Sequence, residues 1–143
     1  MNVGFTGTRH GLTVPQRLAL RRVLERYFLG RVGNHRFTHG DCVGADKQAH
    51  NMIQILFGWV SITVRPSTRK DTRAFCDANV VMAPKEPLDR NKDIVREADV
   101  VVACPSEPEE MSRGGTWFTV RHARKLKKEL VIVYPNGKVE YDL

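Results

Sequence analysis

The sequence predicts an α/β domain with a mainly parallel sheet of about five strands and helices on both faces. Three observations carry that expectation. Short β-like runs alternate with helix-like repeats along the chain, the pattern left by βαβ crossovers. The run Val100-Val101-Val102-Ala103-Cys104 is apolar without interruption, as expected of a central parallel strand covered on both faces. Glycine-bearing turns recur between strand-like and helix-like segments, at Gly7-Thr8-Arg9, at Gly40 to Asp46 and at Ser112 to Thr116.

Each element follows from its local pattern. Asn2 to Thr6 reads as the first strand. Thr13 followed by Gln16 is a capping box, and Leu20, Val23, Leu24, Tyr27 and Phe28 repeat behind it at helical spacing, with Gly30 and Gly33 ending the helix. Arg36 to His39 is the second strand, and the helix after it carries Ala45, Ala49, Met52, Ile53 and Leu56 on one side as far as Gly58. Trp59 to Val64 alternates as a third strand. Pro66 to Pro87 is irregular and charged, with a short helix expected over Asp71 to Asn79; a long loop beside a site can serve as a lid. Leu88-Asp89-Arg90-Asn91 opens a helix ending at Asp99, before the apolar strand. Beyond the acidic turn Glu107 to Glu110, a helix turns Trp117, Val120, Ala123 and Leu126 inward and Arg121, Arg124, Lys125, Lys127 and Lys128 outward. Leu130 to Tyr134 is expected to be the last strand.

A chain of 143 residues fits one domain, here expected over residues 1–143. The formal net charge of +7 favours an anionic partner, although a solvated basic face explains it equally well. Three cysteines without CxxC spacing suggest neither a disulfide framework nor a zinc site, and no cofactor or metal is expected. Met1 to Phe5 runs straight into a strand, with no leader pattern, and no apolar run is long enough to span a bilayer. A cytoplasmic protein without a membrane partner is the expectation.

The turns carry the chemistry. Glycine lets backbone approach an anion, and the first amides of a helix lack partners that an oxyanion can supply. In open α/β sheets ligands bind beyond the carboxyl ends of the strands, so the three turns are expected to converge on one crevice. Gly7, Thr8 and Arg9 would offer amides, a hydroxyl and a charge-assisted fork to one oxyanion, or else form a tight turn with an exposed arginine. Gly40 and Gly44 frame the second turn, where Asp46 either accepts from a ribose hydroxyl or simply complements the helix dipole. Asp46 and His50 share a helical face, but spacing places no third metal ligand beside them. Arg90, at a helix start, would hold a phosphate or polarise a leaving group. Arg113, Gly114, Gly115 and Thr116 complete the phosphate-binding set.

Together these motifs resemble the SLOG superfamily over nearly the whole chain, a group including the LOG phosphoribohydrolases, the single-domain YspA-like proteins and the Rossmann core of the DNA-processing protein DprA. Gly7-Thr8-Arg9 is similar to the opening motif of the YspA-like and DprA proteins, and His39 to Asp46 to their glycine turn closing in Gly-Ala-Asp. Arg90-Asn91 resembles the YspA-like arginine-asparagine element and the LOG element whose arginine is catalytic. Asp99 to Thr119 resembles the LOG stretch running from a strand into Pro-Gly-Gly-x-Gly-Thr-x-x-Glu. The resemblance implies a Rossmann-like three-layer α/β/α domain that binds a nucleotide or nucleotide-derived ligand and forms a homodimer or higher homo-oligomer. For an enzyme it implies cleavage of the N-glycosidic bond of a nucleoside 5′-monophosphate, with Arg90 as the catalytic residue.

The departures bear on that reaction. With Gly115-Thr116 set on the family's Gly-Thr, Met111-Ser112-Arg113 replaces Pro-Gly-Gly, and Thr119 stands where the LOG glutamate would be. Threonine cannot serve as that acid or base. Glu107, Glu109 or Glu110 would have to supply the carboxylate, unless they form only a solvated acidic turn. A phosphoribohydrolase and a non-catalytic nucleotide sensor therefore both remain open. A third reading, single-stranded DNA binding like that of DprA, rests on the basic helix Arg121 to Lys128, which lacks interleaved aromatics for base stacking.

Overall fold

Strand β1 (Asn2–Gly7) lies at the centre of the sheet, and the rest of the chain is wound outward from it on both sides. The computed structural model describes residues 1–142. After β1 come α1 (Val14–Phe28), β2 (Arg36–His39), α2 (Ala45–Leu56), β3 (Ser61–Val64), a 3₁₀ turn (Lys70–Thr72) and β4 (Val80–Val81). The second half runs α3 (Pro87–Glu97), β5 (Val100–Cys104), α4 (Gly115–Lys125), β6 (Glu129–Val133) and β7 (Val139–Asp142). The sheet order is β4-β3-β2-β1-β5-β6-β7, parallel except for β7, which returns antiparallel along β6. The direction of winding reverses between β1 and β5, which pair from Val3↔Val100 to Gly7↔Cys104. Just beyond their carboxyl ends is where such a sheet opens a crevice.

The pattern of β5 explains the layering. Val100, Val102 and Cys104 pack with Phe5, Phe37, Leu20 and Ile53 beneath α1 and α2. Val101 and Ala103 point the other way, into Val95, Trp117 and Leu130 beneath α3 and α4. An unbroken apolar strand is thus buried on both faces. The α1 capping box forms as expected, with Thr13 accepting from the Gln16 amide and Gln16 reaching back to the Thr13 amide.

Three expectations need correction. The sheet has seven strands against about five expected. The additional ones are β4, two residues too short to show a period, and β7, a half-exposed Val-Glu-Tyr-Asp edge strand that follows β6 through a tight turn. The helix expected over Asp71 to Asn79 is only the 3₁₀ turn Lys70–Thr72. Its continuation is forestalled because the Ala74 and Cys76 amides donate to the carbonyl and side chain of Asp41 instead of to the preceding turn. Leu126, expected inward, is 42% exposed, because α4 stops at Lys125 and the cap swings it off the buried stripe. No described helix is long and apolar enough to cross a membrane.

Candidate functional site

Beyond the carboxyl ends of β1 and β5 lies a cleft of about 360 Å³, within the size range of small-ligand sites. The turn after β1 forms its floor. The Thr8 amide donates to the Cys104 carbonyl at 3.0 Å, tying the two strand ends together. The Thr8 carbonyl accepts from the Ala45 amide at 2.9 Å, and the Thr8 hydroxyl accepts from the His10 amide at 3.1 Å. That hydroxyl's own hydrogen has no acceptor among the described residues. No helix follows at once, since α1 begins only at Val14; the turn instead supports the first amide of α2.

The β2–α2 turn is closed on itself. Asp46, in the first turn of α2, accepts on Oδ2 from the Gly40 and Cys42 amides, each at 3.2 Å. Its Oδ1 is buried and has no partner among the described residues. Burial drives the Asp46 carboxyl up to about 6, against the opposing pull of Arg90 and the two amides. Gly44 adopts φ +87°, and a Cβ there would lie 2.4 Å from the Arg9 carbonyl oxygen, so only glycine lets the two turns pack back to back. Gly44 therefore stands behind the cleft wall, whereas Gly40 is part of it.

Arg90, near the start of α3, is 6% exposed. Its Nε donates to Asn91 Oδ1 at 2.7 Å, and Nη1 donates to the carbonyls of Gly40 and Arg65. Nη2 meets only the Cys42 sulfur, at 3.7 Å. A Cβ on Gly40 would lie 2.5 Å from Nη1, so that glycine makes room for the guanidinium. Arg90 thus braces α3 against the ends of β2 and β3 and has one amino group left for the cleft.

The start of α4 is built in the opposite way. Gly114 precedes it with φ +100°, no side chain caps it, and the Gly115, Thr116 and Trp117 amides have no partner among the described residues. Arg9 and Arg113 line the same cleft and make no ion pair among those residues. Glu107 completes this wall, its two oxygens accepting from Trp117 Nε1 at 2.7 Å and Ser106 Oγ at 2.6 Å. The Ser106 hydrogen bond leads in holding Glu107 below the usual carboxylate range. Thr119 is fully buried and donates to the Gly115 carbonyl at 2.8 Å, within its own helix and away from the cleft.

Searched against family models, curated proteins and solved structures, the chain matches none. The geometry of the cleft alone therefore carries the functional argument. It gathers Gly7, Thr8, Arg9, Gly40, Asp46, Arg90, Asn91, Arg113, Gly114, Gly115 and Thr116 around one space and leaves only Gly44 outside it.

Three of the five outward cations of α4 and the turn after it, Arg121, Arg124 and Lys128, are spent within the chain. Arg124 pairs with Glu110 at 2.6 Å and Asp142 at 2.8 Å, Arg121 donates to the Met111 and Ser112 carbonyls, and Lys128 caps the end of α3 at Arg96 and Ala98. Glu110 is thereby accounted for as an anchor of the loop before α4.

His39, His50 and Cys76 bring donor atoms within 4.8 Å of one another, a set that resembles a metal site. Their hydrogen bonds argue against that use. The Asp41 amide can only donate, so His39 Nδ1 accepts from it and Nε2 carries the proton, which goes to His50 Nδ1 at 2.9 Å. His50 Nε2 then donates to the Asp77 carbonyl, which can only accept. Every ring lone pair is used, and a metal on His39 Nε2 would leave two N–H groups facing each other. Asp46 and His50 have separate partners and form no ligand pair.

Sequence reasoning missed Asp41. Fully buried at φ 57°, it accepts on Oδ2 from Arg73 at 2.8 Å and on Oδ1 from the Cys76 amide at 2.8 Å, and so holds down the segment that brings Ser67 and Arg69 to the cleft. The Gly40-Asp41 pair is the only signal, since aspartate tolerates the left-handed conformation better than most residues.

Proposed function

We propose that this chain is a Rossmann-like, SLOG-type domain that binds a nucleotide or nucleotide-derived ligand at the carboxyl ends of β1 and β5. The observation that carries the reading is the uncapped start of α4, whose three free amides share a cleft with the Thr8 hydroxyl and the unpaired Arg9 and Arg113. Free helix-start amides, an adjacent hydroxyl donor and two cations are what a phosphate requires. A second, independent sign of a ligand is the buried, partnerless Oδ1 of Asp46, a residue that lines the same cleft. The resemblance adds the substrate class, a nucleoside 5′-phosphate or a relative of one, and assembly as a homo-oligomer.

Of the two modes, binding without hydrolysis has the better support. Thr119, at the position of the LOG glutamate, is fully buried and bonded within its helix, and most of the Arg90 guanidinium is occupied by carbonyls and Asn91. Hydrolysis of the N-glycosidic bond remains the alternative, with Arg90 Nη2 stabilising the developing charge. Nucleic-acid binding is the weakest reading, because Arg121, Arg124 and Lys128 are engaged internally.

The test is a panel of nucleoside 5′-phosphates incubated with the protein, followed by calorimetry, detection of free base and native mass spectrometry. Saturable binding with no base release is the expected result. Base release identifies a phosphoribohydrolase, and the absence of any binding removes the reading.

A further inference from the structure

The β2–α2 turn satisfies only half of Asp46. Two amides point at Oδ2, while Oδ1 is buried without a partner among the described residues, in a residue that lines the cleft. A buried acceptor is costly to leave unmade, so a ligand bringing a donor to that point gains more than it would at an exposed carboxylate. The geometry also decides where a proton goes. With two N–H groups already directed at Oδ2, protonation falls on Oδ1 and turns the one free acceptor into a donor.

We propose that Asp46 Oδ1 is the sugar-reading group of the cleft. In its ionised form it accepts a hydrogen bond from a hydroxyl of a sugar phosphate whose phosphate lies at the start of α4. The proposal rests on the phosphate reading given above. It makes Asp46 a specificity-determining residue and couples ligand capture to the loss of one proton. The groups facing the carboxyl are Arg90 from α3, Asp41 and Cys42 from its own turn, Cys76 from the segment after the 3₁₀ turn, and Cys104 from the end of β5. Arg90 favours the ionised form and Asp41 opposes it, while burial raises all three thiols, which stay neutral across the working range. Asp46 itself, raised to about 6, is therefore the group facing this point that changes charge between pH 5 and 7.

The test compares wild type with Asp46→Asn, using ribose 5-phosphate and methyl phosphate as probes. Asparagine keeps a carbonyl oxygen for the Gly40 and Cys42 amides and places an NH₂ where Oδ1 was, so it imitates the protonated acid at every pH. Calorimetric titrations of ribose 5-phosphate should show wild type binding about tenfold tighter than Asp46→Asn at pH 7.5, with the ratio shrinking towards one at pH 5. Because both proteins meet the same ligand, the titration of its phosphate cancels in that ratio. Methyl phosphate has no sugar hydroxyl, and its affinity should be the same for both proteins within about twofold.

An equal affinity for ribose 5-phosphate at pH 7.5, or a ratio that does not change with pH, overturns the proposal. A parallel loss of methyl phosphate binding also overturns it, by showing that Asp46 only shapes the turn. A ratio seen with a nucleoside 5′-phosphate but not with ribose 5-phosphate assigns Oδ1 to a base and overturns the sugar contact. If the wild type binds neither probe nor any nucleotide, the phosphate reading itself has failed, which is a separate outcome. Should Asp46→Asn not fold, proton release by wild type at pH 6 decides: ribose 5-phosphate must release more protons than methyl phosphate, and equal release overturns the contact.

Discussion

The turn between β2 and α2 and the turn leading into α4 are written in the same glycine-rich vocabulary, yet they are finished in opposite ways. In the first, Asp46 takes the Gly40 and Cys42 amides, the Thr8 carbonyl takes the Ala45 amide, and Arg90 takes the Gly40 carbonyl. In the second, the Gly115, Thr116 and Trp117 amides are left open to the cleft. One turn spends all its polar groups but Asp46 Oδ1 on holding the scaffold, and the other leaves its amides unpaired, which on the proposed reading suits them to a ligand. Glycine in a strand-to-helix turn thus has two physical meanings, close packing of protein on protein and close approach of an anion. The neighbouring acceptors decide between them.

The contrast can be tested at its strongest point with Gly44→Ala. At φ +87° with the Arg9 carbonyl 2.4 Å from the new Cβ, the variant should lose about 3 kcal/mol of stability, read as a lower urea midpoint. A midpoint unchanged from wild type would mean that the two turns do not depend on each other. Arg90→Lys comes next. It keeps the charge but cannot span Asn91, Gly40 and Arg65 together, so about 2 kcal/mol of stability is expected to go, with nucleotide affinity falling about tenfold. A loss of affinity with full stability would recast Arg90 as a ligand contact rather than a brace. Gly115→Val should have the smallest effect on folding, because its Cβ meets nothing nearer than Asn91 Nδ2 at 3.7 Å. Its effect should fall on binding, with affinity for a nucleoside 5′-phosphate reduced about tenfold, roughly 1.4 kcal/mol by calorimetry, and the urea midpoint unmoved. Unchanged affinity would take the α4 start out of the site.

The fold was legible wherever the pattern was long or doubly constrained. The uninterrupted Val100 to Cys104 run and the Thr13–Gln16 capping box each admit one structure, and both form. What escaped was decided by distant partners. The segment after the 3₁₀ turn has helical potential, but Asp41, more than thirty positions earlier in the chain, claims its amides at Ala74 and Cys76. β4 and β7 exist because neighbouring strands offer them an edge, with little in their own composition to mark them. The nearness of the singled-out residues to one another was legible, and their individual contacts much less so. Nearly every residue singled out lies around one cleft, yet Gly40, Gly44 and most of Arg90 serve as structure. That division depends on which carbonyls and carboxylates come within hydrogen-bonding reach, and spacing along the chain carries no such information.

The paired imidazoles of His39 and His50 also give the backbone they fasten at Asp77 a defined response to acid. Protons run in one direction through them, from the Asp41 amide to His39, on to His50 and out to the Asp77 carbonyl. A third proton has nowhere to sit without setting donor against donor. Burial, and then His50, accordingly hold His39 down to about 3, and burial lowers His50 as well. Once released, either ring would take a proton near its ordinary 6.5. Below that value the open form binds more protons than the closed one, so each further step in acidity weakens the fastening. The pair thus resists protonation for as long as it stays folded, and acid acts by stabilising the unfolded form instead.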